Sequence, residues 1–171
     1  MNRGQMDGFL FDTNALNHFL DRGIAPGAIS SGARCCVTAV QFSELQATSS
    51  AARRDALWAH FEVLKVAVPI QQVSLRSAPF GTSPFGLAPF GGGDGQHFKE
   101  MKRQLDEIGG NRSRRGNTAD ALTLEVCFYN RLTLVTDDPS LRRVAQVYGV
   151  AAETMDEFRM RISHENRPLE A

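Results

Sequence analysis

The sequence is poor in cysteine, and its three thiols fit no ligand pattern: Cys35 and Cys36 are adjacent and Cys127 stands far away. An odd total with no CxxC pair excludes a fully paired disulfide framework and the common cysteine metal sites. Buried small hydrophobes are the expected role of all three. His18, His60, His97 and His164 are scattered, with no HExxH or comparable pair. The usual zinc sites are therefore excluded, and any metal on this chain would be held by oxygen.

Neither sign of charge is in excess. The 19 Lys and Arg residues balance 19 Asp and Glu, for a formal net charge of zero. That argues against a protein that coats nucleic acid through bulk electrostatics, while local basic patches stay open. No apolar run reaches the roughly 18 residues that a membrane span requires, and the N-terminus lacks the basic and apolar regions of a signal peptide. A cytoplasmic protein without membrane association is expected. At 171 residues the chain can bury one sizeable core, so a single domain over 1–171 is expected.

What is present is an alternation of short apolar runs and helical periodicities. Gly8 to Asp12 reads GFLFD, and Leu16, Phe19 and Leu20 then follow at helical spacing. Cys35 to Val37 forms a second run, after which Thr38 and Gln41 make a capping box for a helix containing Glu44. Leu57, Trp58, Phe61 and Leu64 mark one face of a helix, and residues 66–73, interrupted by Pro69, read as a weak strand or extended connection. His97 to Ile108 reads as a helix. The Gly109 to Gly116 stretch reads as a loop carrying Arg112, Arg114 and Arg115. Thr118 is placed to cap the helix beyond it, with Asp120 in that helix's first turn. Leu132 to Thr136 is β-rich, and Asp137-Asp138-Pro139 opens a helix that ends at Gly149. Val150 to Met155 suggests a last strand before a short closing helix. The expected class is α/β: three layers, α/β/α, around a central mostly parallel sheet.

Residues 77–95 differ in character. Pro-Phe-Gly recurs at 79–81, 84–86 and 89–91 and runs into a glycine tract, which neither a helix nor a central strand accommodates. This is an insertion within the domain, read either as a surface segment or as a docking arm bearing Phe80, Phe85 and Phe90.

Asp12 and Asp138 fall where an apolar strand passes into a helix, the end of an open α/β sheet at which ligands gather. Glu44 reaches inward from its helix, and Asp120 stands where a helix dipole favours an anion. Singly, each has a structural explanation as a cap, a dipole partner or a solvated side chain. Jointly they carry a cost, because two carboxylates about 4 Å apart repel by about 4 kcal/mol at an effective dielectric near 20. Mg²⁺ or Mn²⁺ suits such an all-oxygen set, and one or two ions could serve phosphodiester hydrolysis.

FLFDTNAL at 9–16, VTAVQFSEL at 37–45, NTADALTLEVC at 117–127 and LTLVTDD at 132–138 resemble the four acidic motifs of PIN-domain nucleases. The resemblance implies a PIN-like fold in which Asp12, Glu44, Asp120 and Asp138 hold Mg²⁺ or Mn²⁺. It gives Asp137 as a substitute or supporting ligand, and Thr13, Asn14 and Thr136 as hydrogen-bonding supports. It further implies hydrolysis of RNA, a toxin role in a toxin–antitoxin module, an antitoxin partner and a homodimer. Between Lys99 and Arg115 six basic residues face three acidic ones, and Arg112, Arg114 and Arg115 are candidates for contact with the RNA backbone.

Two other readings use the same residues. A haloacid-dehalogenase-like phosphatase also begins with a strand ending in Asp, but Asn14 stands where its DxD motif needs a second Asp. A binding module without catalysis would use the arginines and phenylalanines, yet four anionic side chains without metal would repel phosphate.

Overall fold

The computed structural model describes residues 8–22, 34–67, 70–72, 95–108 and 114–165, except for the side chains at 19–20, 34, 60–67, 70–72, 114–116 and 162–165. The Pro-Phe-Gly segment up to 94 and Arg112 lie outside them, as do the side chains of Arg114 and Arg115.

Each expected strand-to-helix junction forms. Strand β1 (Gly8–Phe11) leads into α1 (Thr13–Asp21), and β2 (Arg34–Val37) into α2 (Ala39–Gln46). Helix α3 (Ala51–Ala67) precedes β3 (Ile70–Gln72), and α4 (Gln96–Ile108) precedes α5 (Arg114–Asn130). Then follow β4 (Thr133–Val135), α6 (Pro139–Val147), β5 (Ala152–Glu153) and α7 (Met155–Glu165). The capping box at α2 is present: Thr38 Oγ1 accepts from the Val40 amide at 3.1 Å, and Gln41 Oε1 accepts from the Thr38 amide at 2.7 Å. Gly149, at φ +67, supplies the left-handed residue that stops α6.

The strands form one sheet in the order β3-β2-β1-β4-β5, and every pairing is parallel. Successive side chains of a strand face opposite ways, which builds two cores. Leu10, Cys36 and Leu134 face one side and pack with Val40 of α2, Met101 and Leu105 of α4, Leu124 of α5 and Leu141 of α6. Phe9, Phe11, Cys35, Val37 and Val135 face the other, against Ala15 and Leu16 of α1 and Met155 and Phe158 of α7. There the Phe158 ring meets Phe9 and Phe11 edge-on, each at 5.1 Å between centroids. These two cores give the three α/β/α layers. All three cysteines are buried, and burial pushes the Cys35 thiol up to about 12, so it is an inert core group.

One expected boundary is corrected. Helix α5 begins at Arg114, so Arg114 and Arg115 belong to a first helical turn and Thr118 is an interior residue, not a cap. Gly116 was read as part of a break, but a single glycine costs a helix only about 1 kcal/mol. Packing outweighs that cost: Asn117 is buried and its Nδ2 donates to Asp106 Oδ1 of α4 at 2.7 Å. Asp120 thus lies nearly two turns into α5, beyond the reach of the helix-terminal dipole.

Candidate active site

The chain runs from β1 outward to β2 and β3, then returns to place β4 on the other side of β1. The crevice at such a reversal, beyond the strand ends, is where open α/β sheets bind ligands. Phe11 pairs with Val135 in the parallel register, so the residues that follow them, Asp12 and Thr136, are neighbours across the reversal.

Asp12 is only 6% exposed. Its Oδ1 accepts from the Ala15 amide at 2.6 Å and caps α1, while its Oδ2 accepts from the Thr136 hydroxyl. Burial drives the Asp12 pKa up from the usual 3.8 to about 6. The bonds from Thr136 and Ala15 oppose the rise, and the charges of Asp138 and Asp137 add to it. Among the described residues no Lys, Arg or His pairs with this carboxylate. A buried acid with two like charges nearby and no cationic partner suits a hard cation bound through oxygen.

Glu44 is half-buried on α2, and its Oε2 accepts from the hydroxyl of Thr13, the residue after Asp12. Helix α2 is linked to α5 through Gln41 Nε2, which donates to Thr123 Oγ1 at 3.4 Å. Asp120, half-buried, lies one turn before Thr123 on α5.

The two final acids have structural duties. Asp138 is buried and caps α6, its Oδ1 accepting from Ser140 at 2.8 Å and from Leu141 at 3.3 Å. Its own amide donates to Thr136 Oγ1 at 3.1 Å, so the Thr136 hydroxyl joins Asp12 to Asp138. Asp137 turns the other way: Oδ1 accepts from the Met155 amide at 3.0 Å, and Oδ2 lies 2.6 Å from His18 Nδ1.

The structure thus brings Asp12, Thr136 and Asp138 together, with Thr13 and Glu44 alongside. Among the described residues, no three Asp, Glu, His or Cys side chains converge into a ready metal cage. A cleft of about 400 Å³ opens beside Asp138, lined by Asn14, Asn17, His18, Asp21, Arg53 and Asp137. Only Asn14, Asp137 and Asp138 of that lining stood out in the sequence. Asn17, His18 and Asp21 recur at i+3, i+4 and i+7 from Asn14, a polar stripe that a search for apolar spacing passes over.

The sequence matches no protein-family model and no curated protein. Solved structures do match. VapBC2 from Rickettsia felis, solved bound to a DNA fragment from its promoter, superposes with a TM-score of 0.52 at 13% identity, covering 86% of this chain and 98% of that one. A protein of Pyrobaculum aerophilum gives 0.55 at 16% identity, covering 94% and 98%. VapBC-1 from nontypeable Haemophilus influenzae gives 0.52 at 12% identity, covering 87% and 98%. At such identities the likeness is one of fold. The chain has the PIN-like α/β/α fold of these structures. No helix among the described residues is long and apolar enough to cross a membrane.

Proposed function

We propose that the protein is a metal-dependent ribonuclease, the toxin of a toxin–antitoxin module, with Asp12, Glu44, Asp120 and Asp138 as its metal-binding and catalytic carboxylates. The observation that carries this reading is Asp12: a buried carboxylate at the sheet's reversal point, raised to about 6 by burial and like charge and lacking a cationic partner among the described residues. Drawn together around a substrate phosphate, these carboxylates would repel by about 4 kcal/mol for each pair about 4 Å apart at an effective dielectric near 20. A divalent cation offsets that repulsion, and the all-oxygen donor set favours Mg²⁺ or Mn²⁺. Such ions, when bound, supply the charge that activates a water and stabilises the leaving oxygen of a phosphodiester.

The chain's own groups orient the acids. Thr136 fixes one oxygen of Asp12 and the Ala15 amide fixes the other, so this carboxylate is held in a single pose. Thr13 holds Glu44 toward the same strand end. Asp138 is the least committed to catalysis, because Oδ1 caps α6. Asp137 is engaged by His18 and Met155, which favours a positioning role over direct ligation. Arg112, Arg114 and Arg115 remain the proposed contacts for the RNA backbone. The antitoxin partner, the homodimer and the cytoplasmic setting belong to the same proposal, supported by a fold shared with VapBC proteins.

Cleavage of a mixed RNA pool by purified protein with Mg²⁺, Mn²⁺ or EDTA tests the reading. Cutting is expected with either ion, is abolished by EDTA, and falls by at least about a hundredfold in Asp12→Asn and Asp120→Asn. Undiminished cleavage in either variant would sink the proposed site. Release of inorganic phosphate from a phosphomonoester, with RNA left intact, would favour a phosphatase, and tight RNA binding with neither activity would favour a binding module.

A further inference from the structure

Thr38, Gln41 and Thr123 form a buried polar chain, exposed by only 0%, 2% and 2%. Gln41 Oε1 accepts from the Thr38 amide at 2.7 Å and from the Thr38 hydroxyl at 2.6 Å. Gln41 Nε2 donates to Thr123 Oγ1 at 3.4 Å, and the Thr123 hydroxyl donates to the Ala119 carbonyl at 3.0 Å. The chain thus runs from the end of β2 to the residue before Asp120.

Capping explains only half of it. The box at α2 needs a side-chain oxygen at position 41, and glutamate supplies one as well as glutamine does. The Nε2 group is what glutamate lacks, and it is the atom that reaches Thr123 of α5. A carboxylate at this depth would be a further buried negative charge with no N–H to give to Thr123.

The bond from Gln41 to Thr123 lies between two of the acids. Glu44 follows Gln41 by three residues on α2, and Asp120 precedes Thr123 by three on α5, so each acid shares a helix face with one end of the bond. At the other end of the chain, Thr38 stands two residues beyond Cys36 and Asp12 two beyond Leu10, in strands that pair at Leu10 and Cys36. A buried polar chain whose members satisfy one another holds its elements in one arrangement.

We infer that Gln41 and Thr123 are positioning residues: they brace α2 against α5 and so set where Glu44 and Asp120 stand relative to Asp12. They act through the acids and touch neither substrate nor metal. This assignment rests on the four-carboxylate site proposed above.

Thr123→Val removes the hydroxyl at nearly constant size and leaves the Thr38–Gln41 cap in place, while Thr123→Ser returns the hydroxyl. Mn²⁺ is titrated into the RNA-free proteins by calorimetry, with circular dichroism to check folding and urea unfolding in EDTA to measure stability. Thr123→Val is expected to bind Mn²⁺ about tenfold more weakly than wild type, and Thr123→Ser to stay within about threefold of it. For one RNA that wild type cuts, Thr123→Val is expected to lower kcat by about tenfold while KM changes by less than about threefold. Thr123→Ala gives the same readings if valine is not accommodated. The brace is overturned if Thr123→Val loses stability but keeps wild-type Mn²⁺ affinity, or if serine fails to restore what valine loses. Mn²⁺ affinity that depends on the Thr123 hydroxyl, in a protein that cuts no RNA, overturns the ribonuclease reading and leaves the brace standing. RNA cleavage that Thr123→Val leaves unchanged overturns the brace alone, and a wild type that neither binds Mn²⁺ nor cuts RNA overturns both.

Discussion

The Thr136 hydroxyl donates to Asp12 Oδ2, joining residues 124 positions apart at the ends of adjacent parallel strands. The same oxygen accepts from the Asp138 amide, so one threonine fixes an acid and the turn that follows it. The bond offsets part of the rise that burial imposes on the Asp12 pKa, and burial, the larger effect, sets the direction in which the fold responds to pH.

Asp12 has a folded pKa of about 6 against an ordinary 3.8. Between those values the folded state keeps a proton that the unfolded state has released, so stability falls as pH rises through the window. The full cost of roughly 3 kcal/mol is present above it and absent below it. Asp12→Asn keeps the cap and removes the charge. In EDTA at pH 7.5 it should resist urea better than wild type by on the order of 2–3 kcal/mol, and match it near pH 4. A less stable variant at pH 7.5 would refute this account.

Divalent ions should reverse that penalty. At about a hundred times its Kd, Mn²⁺ would stabilise wild type by about 2.7 kcal/mol, or roughly 5–10 °C in Tm for a chain of this size. Asp12→Asn should show less than about half that shift. Equal shifts would place the ion elsewhere.

Asp138 can be separated into cap and ligand. Asp138→Ala should lose about 1 kcal/mol through the start of α6, whereas Asn, as good a cap, should leave the melt unchanged. Loss of RNA cleavage in Asp138→Asn at unchanged stability is the expected result. Full activity would confine this residue to capping.

Asp137 should behave differently. Asp137→Asn keeps an acceptor for the Met155 amide and weakens only the contact with His18, which is partly exposed. The expected loss is under about 1 kcal/mol in chemical denaturation, with Mn²⁺ affinity within about threefold of wild type. A tenfold loss of affinity would return Asp137 to the ligand set.

Much of this arrangement was legible from residues near one another in sequence. GFLFD leading into Leu16, the Thr38–Gln41 box and Asp138-Pro139 each join an apolar run to a cap within a few positions, and all three junctions form as expected. The start of α5 was misread because Gly116 signals a break locally, while the contact that overrides it reaches from Asn117 to another helix. The cleft was illegible for a related reason. The Asn14 to Asp21 stripe looks like an ordinary solvated face until Arg53 and Asp137, far along the chain, close over it. The four acids stood out through motif resemblance, but a sequence does not say that Asp137 is spent on His18.

The 124-residue separation between Asp12 and Thr136 also sets a clock. During synthesis at about 5–20 residues per second, Asp12 is finished some 6–25 seconds before its partner strand exists. Until β4 slots in beside β1, half of the reversal point is missing. A nascent chain, or one truncated before residue 133, has no assembled strand end to work with.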